Sequence, residues 1–124
     1  MSSILKPSVI VVSIAIVTSC GDPAPVETLE AKIARAEALL PPDPNLAEKY
    51  GRSCRTCHVN PESGAPLTGD LQAWSARFAQ GASTIASNTR DGIRAMPPRG
   101  QCFDCSEDDL WRLTLFMAQR ADRR

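Results

Sequence analysis

Apolar residues are spread along this chain in two different ways. From Val9 to Val17 they run almost unbroken, interrupted by Ser13 alone. Further on they recur three or four positions apart, the spacing of one helix face. Leu29, Ile33, Ala36 and Leu40 mark such a face, and Ala31, Ala34 and Ala38 add propensity, so Glu27 to Leu40 is expected to be helical. Pro41, Pro42 and Pro44 stop it. Asn45 to Thr56 is expected to be a second helix, capped by Asp43 or Asn45, with Leu46, Tyr50 and Ala47 facing inward. Leu71 to Gln80 and Ser83 to Arg90 form two short helices, broken at Gly81 and Gly92. Ser106 opens the last helix, with Asp109 completing a weak capping box. Its apolar stripe is Leu110, Leu113, Phe116 and Met117, with Trp111 off centre. The pattern is all-α.

The unbroken run has a different meaning. Preceded by Lys6 and too short for a bilayer, which needs roughly 20 apolar residues, it has the form of an export signal. It ends in Val17-Thr18-Ser19-Cys20, which resembles the bacterial lipobox. That resemblance implies cleavage before Cys20 and acylation of its thiol. Several acyl chains on one residue hold a protein firmly, where a single chain binds marginally. The alternative is an ordinary signal peptide with Cys20 incidental. The expected organisation is a signal at 1–19, a tether with a short helix at 20–44 and a globular domain at 45–124. The tether helix either meets a partner or lies on its own domain, and the second reading is favoured.

Charge narrows the function. Fourteen Lys and Arg stand against fourteen Asp and Glu, which excludes the basic footprint of a nucleic-acid binder. Aromatic residues make up 5% of the chain, so a core of side chains alone would be small. A large apolar cofactor would help to fill it.

Cysteine supplies the chemistry. Besides Cys20 there are two C-x-x-C pairs, and the first continues into His: Cys54-Arg55-Thr56-Cys57-His58. Two thiols one helical turn apart can add to the two vinyl groups of one haem, and the next residue then turns its ring toward the iron. His58 is the only His in the chain, so it is the expected proximal ligand. The alternative is a surface His beside a disulfide. For the second axial position the candidates are Met96 and Met117. Met96 precedes two prolines that fix an extended loop, whereas Met117 falls on a helical apolar stripe. Cys102 and Cys105 are followed by Ser106, not His, so they form no second haem site. In an oxidising compartment a disulfide is expected. A zinc site is disfavoured, because 44 residues separate the pairs. A thioredoxin-like role lacks the surrounding βαβ pattern. Trp74 and Arg77 carry donors suited to a haem propionate, with packing and a solvated charge as the plain alternatives.

Cys54 to His58, Gly64-Ala65-Pro66, Gly69-Asp70, Trp74, Met96-Pro97-Pro98-Arg99-Gly100 and Cys102 to Cys105 together resemble a class I cytochrome c, most closely the cytochrome c5 group. The resemblance implies a small all-α fold of three to five helices around one haem c, covalently held through Cys54 and Cys57. It implies Met96 as distal ligand and the Pro66 carbonyl as acceptor from the His58 ring. Tyr50 and Phe116 match aromatics of its first and last helices. Leu46 departs from the pattern, which has Gly where those helices cross. The implied function is single-haem electron transfer, not enzyme catalysis, with transient redox partner proteins and no nucleic acid or small-molecule substrate. The expected location is the periplasmic side of a bacterial membrane, anchored through Cys20, or else soluble in the periplasm. The alternatives are a gas-binding or sensing module with a labile Met ligand, and a fixed haem subunit of a larger respiratory complex.

Overall fold

A computed structural model describes residues 26–121. The expected signal segment and Cys20 lie outside the described residues. The elements in chain order are α1 (Leu29–Ala38), α2 (Pro44–Lys49), a π-helical turn (Tyr50–Cys54), α3 (Arg55–His58), α4 (Leu71–Phe78), α5 (Ala82–Asp91) and α6 (Glu107–Met117). Short 3-10 turns lie at Pro61–Ser63 and Pro98–Gln101. Because α2, the π-turn and α3 follow without a break, the described residues form five helical rods, and they contain no strand.

The rod from Pro44 to His58 begins where Asp43 accepts from the N–H groups of Asn45 (2.9 Å) and Leu46 (3.3 Å), which satisfies two orphan donors of the first turn. Pro44 suits that turn, where its missing N–H costs nothing. The π-turn is marked by the bond from Arg55 N–H to the Tyr50 carbonyl, five residues back. It has a geometric consequence. At about 100° per residue, each four-residue step in an α-helix drifts about 40°. Leu46 and His58, three such steps apart, would then lie about 120° from each other. The extra residue of the π-turn removes most of that drift. Leu46, Tyr50, Cys54 and His58 accordingly share one face, at 5%, 0%, 9% and 6% exposure.

That face meets α6 and the chain before it. The main cluster comprises Leu46, Tyr50, Cys54, Trp74, Cys102, Cys105, Leu110, Leu113, Met117 and Ala118, with Phe78 and Phe116 against it. Tyr50 and Phe116 pack edge to face at 5.2 Å, a favoured aromatic geometry. Leu46 is buried within this cluster, so the crossing carries a full side chain. Lys49 bonds Asp109 at 2.8 Å, tying α2 to the N-terminus of α6. Ser106 and Asp109 form the complete capping box there.

The helix expected at 27–40 is shorter, because Thr28 caps it and Leu39 is extended. Its packing also differs from the apolar stripe. Ala36 is fully buried, but Leu29 and Leu40 are exposed. The contacts run instead through Lys32, Arg35 and Leu39, which lie along the loop at Gly69 and Asp70. α1 therefore lies on its own domain.

Lys49 first, and then the Ser106 N–H, hold the Asp109 carboxyl down at about 2. An aspartate depressed in this way contributes stability that is present above its unfolded value near 3.8 and is lost as pH falls through about 2. The expected outcome is that Asp109→Asn destabilises the protein by about 1 kcal/mol near neutrality. The gap between variant and parent should narrow steadily from pH 4 to pH 2 in thermal melts. A constant gap would mean that the carboxylate charge has no part in it.

Candidate haem site

α3 carries Cys54 at its entry, then Cys57 and His58. Cys54 is buried, Cys57 is exposed, and neither is in a disulfide. Burial pushes the Cys54 thiol up to about 11, so it is neutral here. The His58 ring is buried, and its Nδ1 lies 2.8 Å from the Pro66 carbonyl. A carbonyl only accepts, so Nδ1 carries the proton and the Nε2 lone pair is left to a metal. Burial holds the imidazole below its ordinary range. The Pro66 bond works the other way, and the charge of Arg77 adds to the lowering. The ring is thereby neutral, as metal ligation requires.

The loop after α3 holds this arrangement from several sides. Thr68 N–H donates to the His58 carbonyl at 2.7 Å. The Tyr50 and Thr68 hydroxyls bond at 2.9 Å. Gly69 N–H donates to the Met117 carbonyl in α6 at 2.8 Å. Trp74 stacks on the His58 ring at 5.7 Å and 23°.

On the other candidate segment, Ile93 and Met96 exchange both backbone hydrogen bonds, at 3.0 and 2.9 Å. Gly92 lies beneath this turn at φ 85° and ψ 159°. A Cβ there would stand 2.8 Å from the Met96 carbonyl oxygen and 2.9 Å from Pro98 N. Only glycine fits both the backbone and the space. Met96 itself is half-buried. Beyond it, Cys102 and Cys105 form a disulfide with Cα atoms 5.3 Å apart. Arg99 donates to the Cys105 carbonyl and pairs with Glu107 at 2.7 Å. Met117 is buried in the helical core.

A family model described as "Cytochrome C oxidase, cbb3-type, subunit III" matches residues 42–117. The chain belongs to this cytochrome c family. Cytochrome c5 of Ectopseudomonas mendocina is 43% identical over 61 residues, 48% of this chain and 70% of the relative. Cytochrome c5 of Azotobacter vinelandii is 39% identical over 68 residues, 53% of this chain and 78% of the relative. Cytochrome c-555 of Chlorobaculum tepidum is 42% identical over 55 residues, 41% of this chain and 51% of the relative. No solved structure gives a significant match.

This cytochrome is a single-haem electron-transfer protein of the class I, c5-like type. It holds one haem c covalently through Cys54 and Cys57. The residues present fit that group: two unbridged thiols one turn apart, and a neutral imidazole whose tautomer is fixed by Pro66. Cys102 and Cys105 are bonded to each other, which leaves no thiolates there for a zinc site shared by the two C-x-x-C pairs.

Trp74 is placed inside the protein. Its indole N–H donates to the Leu67 carbonyl at 2.9 Å, and the residue is 5% exposed. Its single donor is committed inside the protein, and its ring walls His58. Arg77 is half-buried near His58 and returns one N–H to Ala73. Sequence reasoning passed over Thr68 and the role of Gly92. For Gly92 the signal was available, since a glycine four residues before Met96 could have marked a close backbone approach.

Gly92→Ala is expected to cost about 1–3 kcal/mol, because its φ and ψ belong to a region essentially restricted to glycine. Urea unfolding of the haem-loaded protein measures this. A cost no larger than that of an alanine at the exposed Gly81 would show that the Met96 turn does not depend on the contact.

Proposed function

We propose that this cytochrome carries electrons with His58 and Met96 as its axial ligands, on the periplasmic side of a bacterial membrane to which Cys20 anchors it. The observation that carries the ligand assignment is the doubly bonded Ile93–Met96 turn seated on Gly92. It holds the one methionine of the described residues that is not locked into a helical core. Haem c, when bound, supplies the one-electron couple of its iron. A thioether ligand favours the reduced ion and raises the potential. The Pro66 bond raises the basicity of His58 and opposes that effect. Arg77 is the remaining candidate for a propionate partner, by charge and by nearness to His58. Redox partners dock weakly and briefly through small interfaces, and no part of the proposed role makes or breaks a bond in a substrate.

The tether reading follows from the lipobox resemblance and from the docking of α1. Cys20 stands eight residues before Thr28, which caps α1. A chain of that length reaches at most roughly 28 Å. With α1 on its own domain, the haem domain is confined near the membrane, and its partners must be met there. No helix among the described residues is long and apolar enough to cross a membrane.

Two experiments test the proposal. The oxidised protein is expected to show the weak far-red band of iron–thioether ligation, and the reduced protein to ignore carbon monoxide. Met96→Ala should abolish the band and open the iron to carbon monoxide. A parent protein that already binds carbon monoxide would favour the gas-sensing alternative. For the anchor, Cys20→Ser is expected to move the protein from the membrane fraction to the soluble periplasmic fraction with its visible spectrum unchanged. Equal membrane recovery of both forms would sink the lipid anchor.

A further inference from the structure

α1 lies before the segment that matches the family, which begins at residue 42. Its contacts nonetheless converge on the loop that positions His58. Arg35 Nη1 donates to the Gly69 carbonyl at 2.8 Å. Lys32 Nζ meets Asp70 Oδ2 at 2.9 Å, with side chains only 22% and 12% exposed. Glu27 pairs with Arg35 as well and steadies its side chain. The backbone of Gly69 is pressed so close that a Cβ there would stand 2.8 Å from both Arg35 Cδ and Leu39 Cδ1. At the other end of the helix, Arg55 of the attachment motif donates to the Glu37 carbonyl at 3.1 Å. α1 thus bridges the two chain segments that flank His58.

The path from α1 to the ring is short. Gly69 follows Thr68, whose N–H holds the His58 carbonyl. Three residues before Gly69 is Pro66, whose carbonyl holds Nδ1. Charged donors on a buried residue's carbonyl and a half-buried carboxylate are stronger than neutral ones and are screened less than surface pairs. Outer partners of a metal-ligating His set its orientation and basicity.

We propose that α1 is a strap on the proximal side, and that Lys32 and Arg35 are positioning residues for the His58–Pro66 hydrogen bond. Loosening the strap weakens that bond and makes the imidazole less basic. The oxidised iron is then less stabilised, and the midpoint potential rises. The proposal rests on His58 as proximal ligand and is independent of Met96.

The test uses the full haem-loaded protein with Lys32→Ala and Arg35→Ala combined. Leu29→Ala, at an exposed α1 position, serves as control. Hydrogen exchange at the His58 Nδ1–H and Thr68 N–H, followed by NMR, is expected to quicken about tenfold in the double variant. The reduced-to-oxidised ratio at a fixed applied potential should rise about threefold, or ~28 mV at ~59 mV per tenfold. Arg35→Lys, which keeps a charged donor, should recover part of both effects. Exchange and potential at parent values would overturn the strap and leave α1 a passive spacer, and so would a lowered melting temperature with neither readout moved. Should the double variant yield no loaded protein, the single variants are expected to move both readouts in the same direction, and no movement in either single overturns the proposal equally. A retained far-red band in the variants keeps this result separate from the question of Met96 ligation.

Discussion

The hydrogen bond from His58 Nδ1 to the Pro66 carbonyl is the constraint around which the structure is arranged. A buried imidazole carries one N–H that must be satisfied, and leaving it unpaired costs about 1–3 kcal/mol. Satisfying it from a loop carbonyl means that the loop must be held as firmly as the ring. The loop reaches every neighbouring element for that purpose. Thr68 returns to His58 and to Tyr50, Leu67 receives the Trp74 indole, and Gly69 donates to Met117. A single ligand orientation is thereby tied to the helices on either side of it. The π-turn belongs to the same arrangement, since it brings Tyr50, Cys54 and His58 onto one face.

Electron transfer makes no bond, so the protein's task is to hold the iron's surroundings unchanged while the charge changes. Under the proposed His58 and Met96 ligation, the two sides meet this task by different means. The proximal side uses a network of hydrogen bonds that buried side chains complete. The segment around Met96 uses backbone shape, with a reciprocal turn, a glycine in a region closed to other residues, and a covalent clasp. Networks of bonds fix a ring's orientation, which matters for an imidazole. A flexible thioether needs mainly that its backbone be placed.

Much of this was legible in the sequence because each feature was local. The five helical rods follow from apolar spacing and from punctuation by Pro41, Gly81, Gly92 and Ser106. The attachment motif and its His are contiguous, and the resemblance placed the acceptor on Pro66. What escaped was long-range or conformational. No pattern shows that Trp74 spends its N–H on Leu67. The stripe on α1 pointed to Leu29 and Leu40, yet the helix packs through Lys32 and Arg35. The partner there is a glycine loop that offers a backbone carbonyl and an acid, not an apolar groove. The π-turn was hidden too, since Asn45 to Thr56 read as one ordinary helix with Leu46, Tyr50 and Ala47 inward.

The disulfide shows how a small element acts through the native state. Closing a loop of four residues removes only about 2 kcal/mol of unfolded-chain entropy, against about 3 for fifteen residues. Entropy alone is a weak reason for such a bridge. Its position gives a better one. Cys102 and Cys105 are both in the main apolar cluster, between the turn that follows Met96 and the cap of α6. Arg99 reaches from that turn to the Cys105 carbonyl and to Glu107 in the first turn of α6. The bridge therefore registers the Met96 segment against a helix whose other end, at Met117, braces the His58 loop. Through α6 the His58 loop and the Met96 segment share one rigid reference.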